Sequence, residues 1–143
     1  MVAKMFRLFE NNDLQGYQNE VVKILIVAHH PGVRQIMKIH IELEGDLMVI
    51  GEADNGLAGI ELALQLKPDV ALVDQELPGM DGFDTTQRLH SVLPTIPVIL
   101  LSLNDDKASQ LQAQEAGAVD FVTKQSDPAI LLNAIRQAAK LPG

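Results

Sequence analysis

The chain has no cysteine and no tryptophan, and only 3% of its 143 residues are aromatic. Without cysteine there is no disulfide, no thiolate metal site and no thiol nucleophile, a usage that fits a cytoplasmic protein. With so few rings the core must be aliphatic, and 47% of the residues are apolar. Positive charge is scarce as well: 11 Lys and Arg stand against 19 Asp and Glu, a net charge of −8. Direct nucleic-acid contact is therefore not expected, because a phosphate backbone needs clustered cations that displace its counterions. An acidic surface favours solubility and a protein or cationic partner. Long hydrophobic runs are missing too. The longest are strand-sized, so no membrane role is expected, and residues 1–20 hold no apolar stretch of signal-peptide length.

What is present is an alternation of valine- and isoleucine-rich runs with stretches rich in alanine and leucine. Strands are expected at 23–27, 47–53, 70–74, 98–102 and 118–123. Helices fill the intervals. The first carries Val33, Ile36, Met37, Ile41 and Leu43 after Pro31, and the second sets Leu57, Ile60 and Leu64 on one face before Lys67-Pro68. The third covers 83–93. The fourth, 105–116, is the weakest amphipath, with Leu111 as its only large apolar residue. Asp127 and Pro128 open the fifth, whose stripe is Ile130, Leu131, Ala134, Ile135 and Ala138. Five such units predict a parallel sheet between two layers of helices, joined by right-handed crossovers. Residues 21–143 are expected to form this domain. Residues 1–20 form an N-terminal extension with an apolar patch at Met5, Phe6, Leu8 and Phe9. It is either a flexible tail or a short helix that docks on a partner or on another copy.

Three of the strands end in chemistry. Asp74 closes 70–74, Ser102 closes 98–102 and Lys124 follows the last strand. Ligands of open α/β sheets bind at the carboxyl ends of the strands, so an acid, a hydroxyl and an amine could meet at one site. An amine ending a buried strand also needs a carboxylate near it.

These residues, with the segments PDVALVDQELPGMDG (68–82), EADNGLAGIELA (52–63), EAGAVDFVTK (115–124) and IVAHHPGVR (26–34), resemble the receiver domain of two-component response regulators. The start is similar to receivers found upstream of NarL-type DNA-binding domains. The resemblance implies a flavodoxin-like, CheY-like doubly wound α/β sheet of order 2-1-3-4-5 with its site at the switch point. It implies a phosphorelay role, with Asp74 accepting a phosphoryl group from a sensor histidine kinase or responding to another signalling protein. Ser102 would bind a phosphoryl oxygen, Lys124 would pair with phosphate and carboxylate, and Phe121 would turn inward on switching. The fourth helix, fifth strand and fifth helix would form the switching face, through which a homodimer could assemble.

The pattern is broken in one place. Receivers hold Mg²⁺ with two acids after the first strand, and here Ala28 and His29 occupy those positions. Mg²⁺ prefers oxygen ligands, so Asp74 remains as the matched carboxylate and a weakened Mg²⁺ site is expected. Glu76 could swing in as a second metal ligand, or simply face solvent. His29 with Asp74 could instead take Zn²⁺ or Mn²⁺, or protonated His29 could stand in for the ion.

Each assignment has a structural counterpart. Asp74 and Lys124 could be a retained pair holding strand ends together, Ser102 could bond local backbone, and Phe121 could be a fixed core ring. Two functions follow: a receiver phosphorylated on Asp74 with altered metal dependence, or a pseudo-receiver acting by protein contact alone. Neither is an enzyme. A third, an aspartyl-phosphate phosphatase, rests on the Asp-x-Glu spacing at 74–76, which other enzymes place after their first strand.

Overall fold

The computed structural model describes residues 21–140. The expected extension at 1–20 and the last three residues lie outside them. Five strands, β1 (Val22–Val27), β2 (Leu47–Ala53), β3 (Val70–Asp74), β4 (Val98–Ser102) and β5 (Asp120–Thr123), form one parallel sheet in the order β2-β1-β3-β4-β5. Five helices alternate with them: α1 (Pro31–Glu42), α2 (Gly56–Leu66), α3 (Gly82–Val92), α4 (Lys107–Ala116) and α5 (Pro128–Ala139). The order reverses between β1 and β3, which puts the switch point where those two strands end.

The sheet separates two aliphatic cores. Ile24, Ile26, Val70, Leu72, Ile99 and Leu101 face α1 and α5, while Leu25, Val27, Ala71, Val73, Val98 and Leu100 face α2, α3 and α4. Strands β3 and β4 are buried at every position, as expected of central parallel strands covered on both sides.

The helix faces depart from the sequence reading in one instructive way. In α2 the large residues Leu57 and Leu64 are exposed, and the buried positions are Gly56, Gly59 and Ala63. The small residues let the helix backbone approach Val27, whose side chain a Cβ on Gly59 would meet at 2.7 Å. In α5 the stripe is buried at Ala134, Ile135 and Ala138, but Ile130 in its first turn is exposed. Helix α4 buries only Ala113 and Ala116 and leaves Leu111 exposed. Its first turn is secured by Asp106, whose carboxylate accepts the Ser109 N–H at 2.7 Å and is held below its usual pKa by that bond. Gly117, at φ 101°, ends it in the left-handed conformation.

At the amino edge of the sheet, Arg136 of α5 grips the α1–β2 loop. Its guanidinium donates to both Asp46 carboxylate oxygens at 2.9 Å and to Glu44 at 2.8 Å. These acids raise the guanidinium pKa further and tie α5 to the α1–β2 loop.

Candidate functional site at the carboxyl edge

Parallel register brings the ends of β3, β4 and β5 side by side: Asp74 pairs with Leu101, and Ser102 with Thr123. The backbone N–H of Lys124 continues the ladder to the Ser102 carbonyl at 2.8 Å. Side chains from three strands are thus fixed within one small region by backbone bonds alone.

Asp74 is fully buried. Its Oδ1 accepts the Glu76 N–H at 2.9 Å, and its Oδ2 meets Lys124 Nζ at 2.6 Å. Oδ2 has no well-directed hydrogen-bond donor besides that ionic contact. A buried carboxylate needs such a partner, since desolvating an isolated anion costs many kilocalories per mole. The lysine keeps its head close to water, with 14% of its side chain exposed. Beneath the pair, α3 begins at Gly82, where a Cβ would lie 2.2 Å from the Asp74 carbonyl oxygen, so no other residue fits without moving the chain.

Ser102 is also buried, and its hydroxyl is engaged twice. It donates to Gln75 Oε1 and accepts the Asn104 N–H at 3.0 Å. Gln75 is a residue that the motif reading passed over. Its N–H donates to the Leu101 carbonyl at 2.7 Å, which sets it beside Ser102, a lateral relation that no pattern along the chain signals. Glu76 is exposed, and only its backbone contacts Asp74. Phe121 is partly buried against the α2, α3 and α4 core.

At the end of β1 the structure is different. Ala28 is fully buried, and His29 is exposed and stacked edge-on against His30 at 5.2 Å. Arg34 of α1 reaches back, its Nη1 donating to the Ala28 carbonyl at 2.6 Å and to the His29 carbonyl at 3.0 Å. Its Nε lies 3.5 Å from Glu52 on β2. Arg34 also escaped the sequence reading. A cation in the first turn opposes the helix dipole, which signals that other acceptors hold it.

The donor set does not fit Mg²⁺, which asks for near-octahedral oxygen coordination. Asp74 is paired with Lys124, Ala28 offers no side-chain donor, and the carbonyls of Ala28 and His29 are bonded by Arg34. Among the described residues no group of three or more His, Asp or Glu side chains converges on a point that could hold a metal ion.

Residues 24–136 match the family described as the response regulator receiver domain. The chain belongs to that family. It is 36% identical over 120 residues to the nitrate/nitrite response regulator protein NarL of Escherichia coli K12, covering 84% of this chain and 56% of that protein. It is 37% identical over 122 residues to the transcriptional regulatory protein LiaR of Bacillus subtilis, covering 84% and 57%. The signal receiver domain of NarL from Mycobacterium tuberculosis superposes with a TM-score of 0.80 at 36% identity, over 85% of this chain and 98% of that one. This receiver domain is thus of the NarL-like subfamily, with a CheY-like fold, and spans a little over half the length of those two relatives. No helix among its described residues is long and apolar enough to cross a membrane.

Proposed function

We propose that this receiver domain serves a two-component phosphorelay as a phosphoacceptor at Asp74, with a divalent-ion site much weaker than its family's. The single observation that carries the reading is the buried Asp74 carboxylate held 2.6 Å from Lys124. Phosphoryl transfer spreads negative charge over peripheral oxygens, so a protein catalyses it chiefly by positioning and by supplying cations. A carboxylate oxygen of Asp74 attacks phosphorus, the bond from phosphorus to the donor breaks, and the donor leaves with its electron pair. Lys124 neutralises the nucleophile before transfer and pairs with the acyl phosphate after it. Ser102 exchanges its bond to Gln75 for one to a phosphoryl oxygen. The domain is then the substrate of a sensor histidine kinase rather than an enzyme, and its place is the cytoplasm.

A second reading is favoured by a specific observation. The Ser102 hydroxyl already has both partners, and Leu111 and Val119 are exposed on the α4–β5 side. A pseudo-receiver that acts by protein contact or dimerisation, without phosphate, would look the same.

Intact mass after incubation with acetyl phosphate separates the two. The phosphoacceptor reading expects a gain of one phosphoryl group in the native protein and none in Asp74→Asn, with little response to Mg²⁺. Replacing both Ala28 and His29 with Asp should then raise the Mg²⁺-dependent rate at least tenfold. No gain in either background defeats the reading and leaves the contact module.

A further inference from the structure

Between α1 and α5, in the half of the gap nearer the carboxyl edge, lies a cavity of about 380 Å³. Val33, Ile36 and Met37 of α1, Leu131 and Leu132 of α5, and Val122 of β5 give it an aliphatic wall. Toward the amino edge the gap is closed, because Arg136 of α5 bridges it to Glu44 and Asp46 in the loop after α1. A long helix therefore cannot lie along the whole gap. What enters has to be short: from Val33 to His40, the reach of the cavity along α1, is about 10 Å of helix. A concave, mostly apolar pocket of about 300–1,000 Å³ is the kind that holds a small molecule.

The lining selects on charge. The chain has 19 acidic and 11 basic residues, yet no acid lines this cavity. Its one lysine, Lys124, has its amine 2.6 Å from the Asp74 carboxylate, so that charge is already balanced. An anion in the cavity would have to draw Lys124 away from a fully buried carboxylate, and a cation would find no counter-charge. One group at the open end is free to bond a polar atom. The Gln125 carboxamide, in the turn before α5, is exposed and has no partner among the described residues. His40 borders the cavity from α1 and is exposed as well.

We propose that this cavity binds a small neutral amphiphile, a medium-length alkyl chain ending in a hydroxyl or an amide. The chain lies between α1 and α5, and its polar end meets the Gln125 carboxamide. The site is separate from the acceptor carboxylate, bordering it only through Lys124, and does not depend on whether Asp74 takes a phosphoryl group.

Methyl NMR of the full chain titrated with 1-octanol tests this. Signals of Val33, Leu131 and Leu132 should move saturably, while those of Leu57 and Leu64, exposed on α2 across the sheet, stay still. Octanoate and octylammonium should bind at least roughly tenfold more weakly, because each buries a charge without a free counter-charge. Leu132→Phe, which fills the cavity, should abolish the shifts. Ile36→Gln, at a rim position that is 59% exposed, should weaken octanol binding severalfold with the fold intact, which keeps the test open if the first variant does not fold. Gln125→Ala should weaken it too. No saturable shift up to the solubility of octanol overturns the proposal, as do equal shifts at Leu57 and Leu64, which mark general partitioning onto apolar surface. Octanoate binding as tightly as octanol overturns the ligand class. Groove signals that move with protein concentration alone, and not with octanol, give the cavity to a second copy and overturn the proposal as well.

Discussion

At one half of the sheet's carboxyl edge, where β3, β4 and β5 end, side chains meet one another: Asp74 with Lys124, Gln75 with Ser102. At the other half, where β1 and β2 end, a guanidinium meets backbone carbonyls and a glutamate. The first half has one buried anion balanced by one cation. The second has Arg34 balanced by Glu52, which Lys38 also approaches at 3.4 Å. A divalent ion is drawn to surplus negative charge and free oxygen donors; the buried carboxylate is balanced by Lys124, and the one further acid beside it, Glu76, is exposed. The difference is one of chemistry: an ion pair between side chains at one half, and a guanidinium on backbone carbonyls at the other. Arg34 satisfies the Ala28 and His29 carbonyls on that side.

The strongest way to break the comparison is Lys124→Ala. It strands a fully buried carboxylate, and removal of one partner of a buried pair costs about 3–5 kcal/mol. With Lys124 14% exposed, the lower end of about 3 kcal/mol is expected in urea unfolding at pH 7. Asp74→Asn, which leaves the lysine free to reach water, should cost clearly less. Equal costs would mean that Asp74 is better solvated than its burial indicates.

Arg34→Ala probes the other half. The part-buried bond to the Ala28 carbonyl and the exposed bond to the His29 carbonyl are lost, and a hydrogen bond to a charged group contributes about 1.5–3 kcal/mol, the exposed one less. A loss of about 2 kcal/mol is expected, together with faster amide exchange through residues 28–34. If exchange there is unchanged, the β1–α1 loop is held by something other than the guanidinium.

The fold was legible because parallel βα units write themselves in residue type. The valine and isoleucine runs that became β3 and β4 are buried on both faces, and their boundaries at Asp74 and Ser102 coincide with the sequence reading. The order β2-β1-β3-β4-β5 came from the resemblance rather than from periodicity, since a hydrophobic pattern says which face is buried and not which strand lies next to which. Helix α2 shows the limit of periodicity. Leu57 and Leu64 carry the stronger hydrophobic signal, yet Gly59 and Ala63 face the sheet because close approach to Val27 requires small residues there. In the site, Asp74, Ser102 and Lys124 stand out as polar residues ending apolar strands. Gln75 and Arg34 do not stand out, because their roles depend on lateral register and on reach back across a helix turn, and neither is a pattern along the chain.

The smallest effect belongs to Gln75, and it sharpens the comparison most. Gln75→Ala removes the acceptor of the Ser102 hydroxyl but leaves its bond from Asn104, so the stability cost should be about 1 kcal/mol. The functional consequence runs the other way. If Ser102 must leave Gln75 to meet a phosphoryl oxygen, its release lowers the cost of that exchange, and labelling by acetyl phosphate should accelerate severalfold. Gln75→Glu should slow it, since an anionic acceptor holds the hydroxyl more tightly and adds repulsion toward phosphate. Should both variants label at the native rate, the Gln75–Ser102 bond is part of the scaffold alone. The proposed phosphoacceptor site would then consist of Asp74 and Lys124 only.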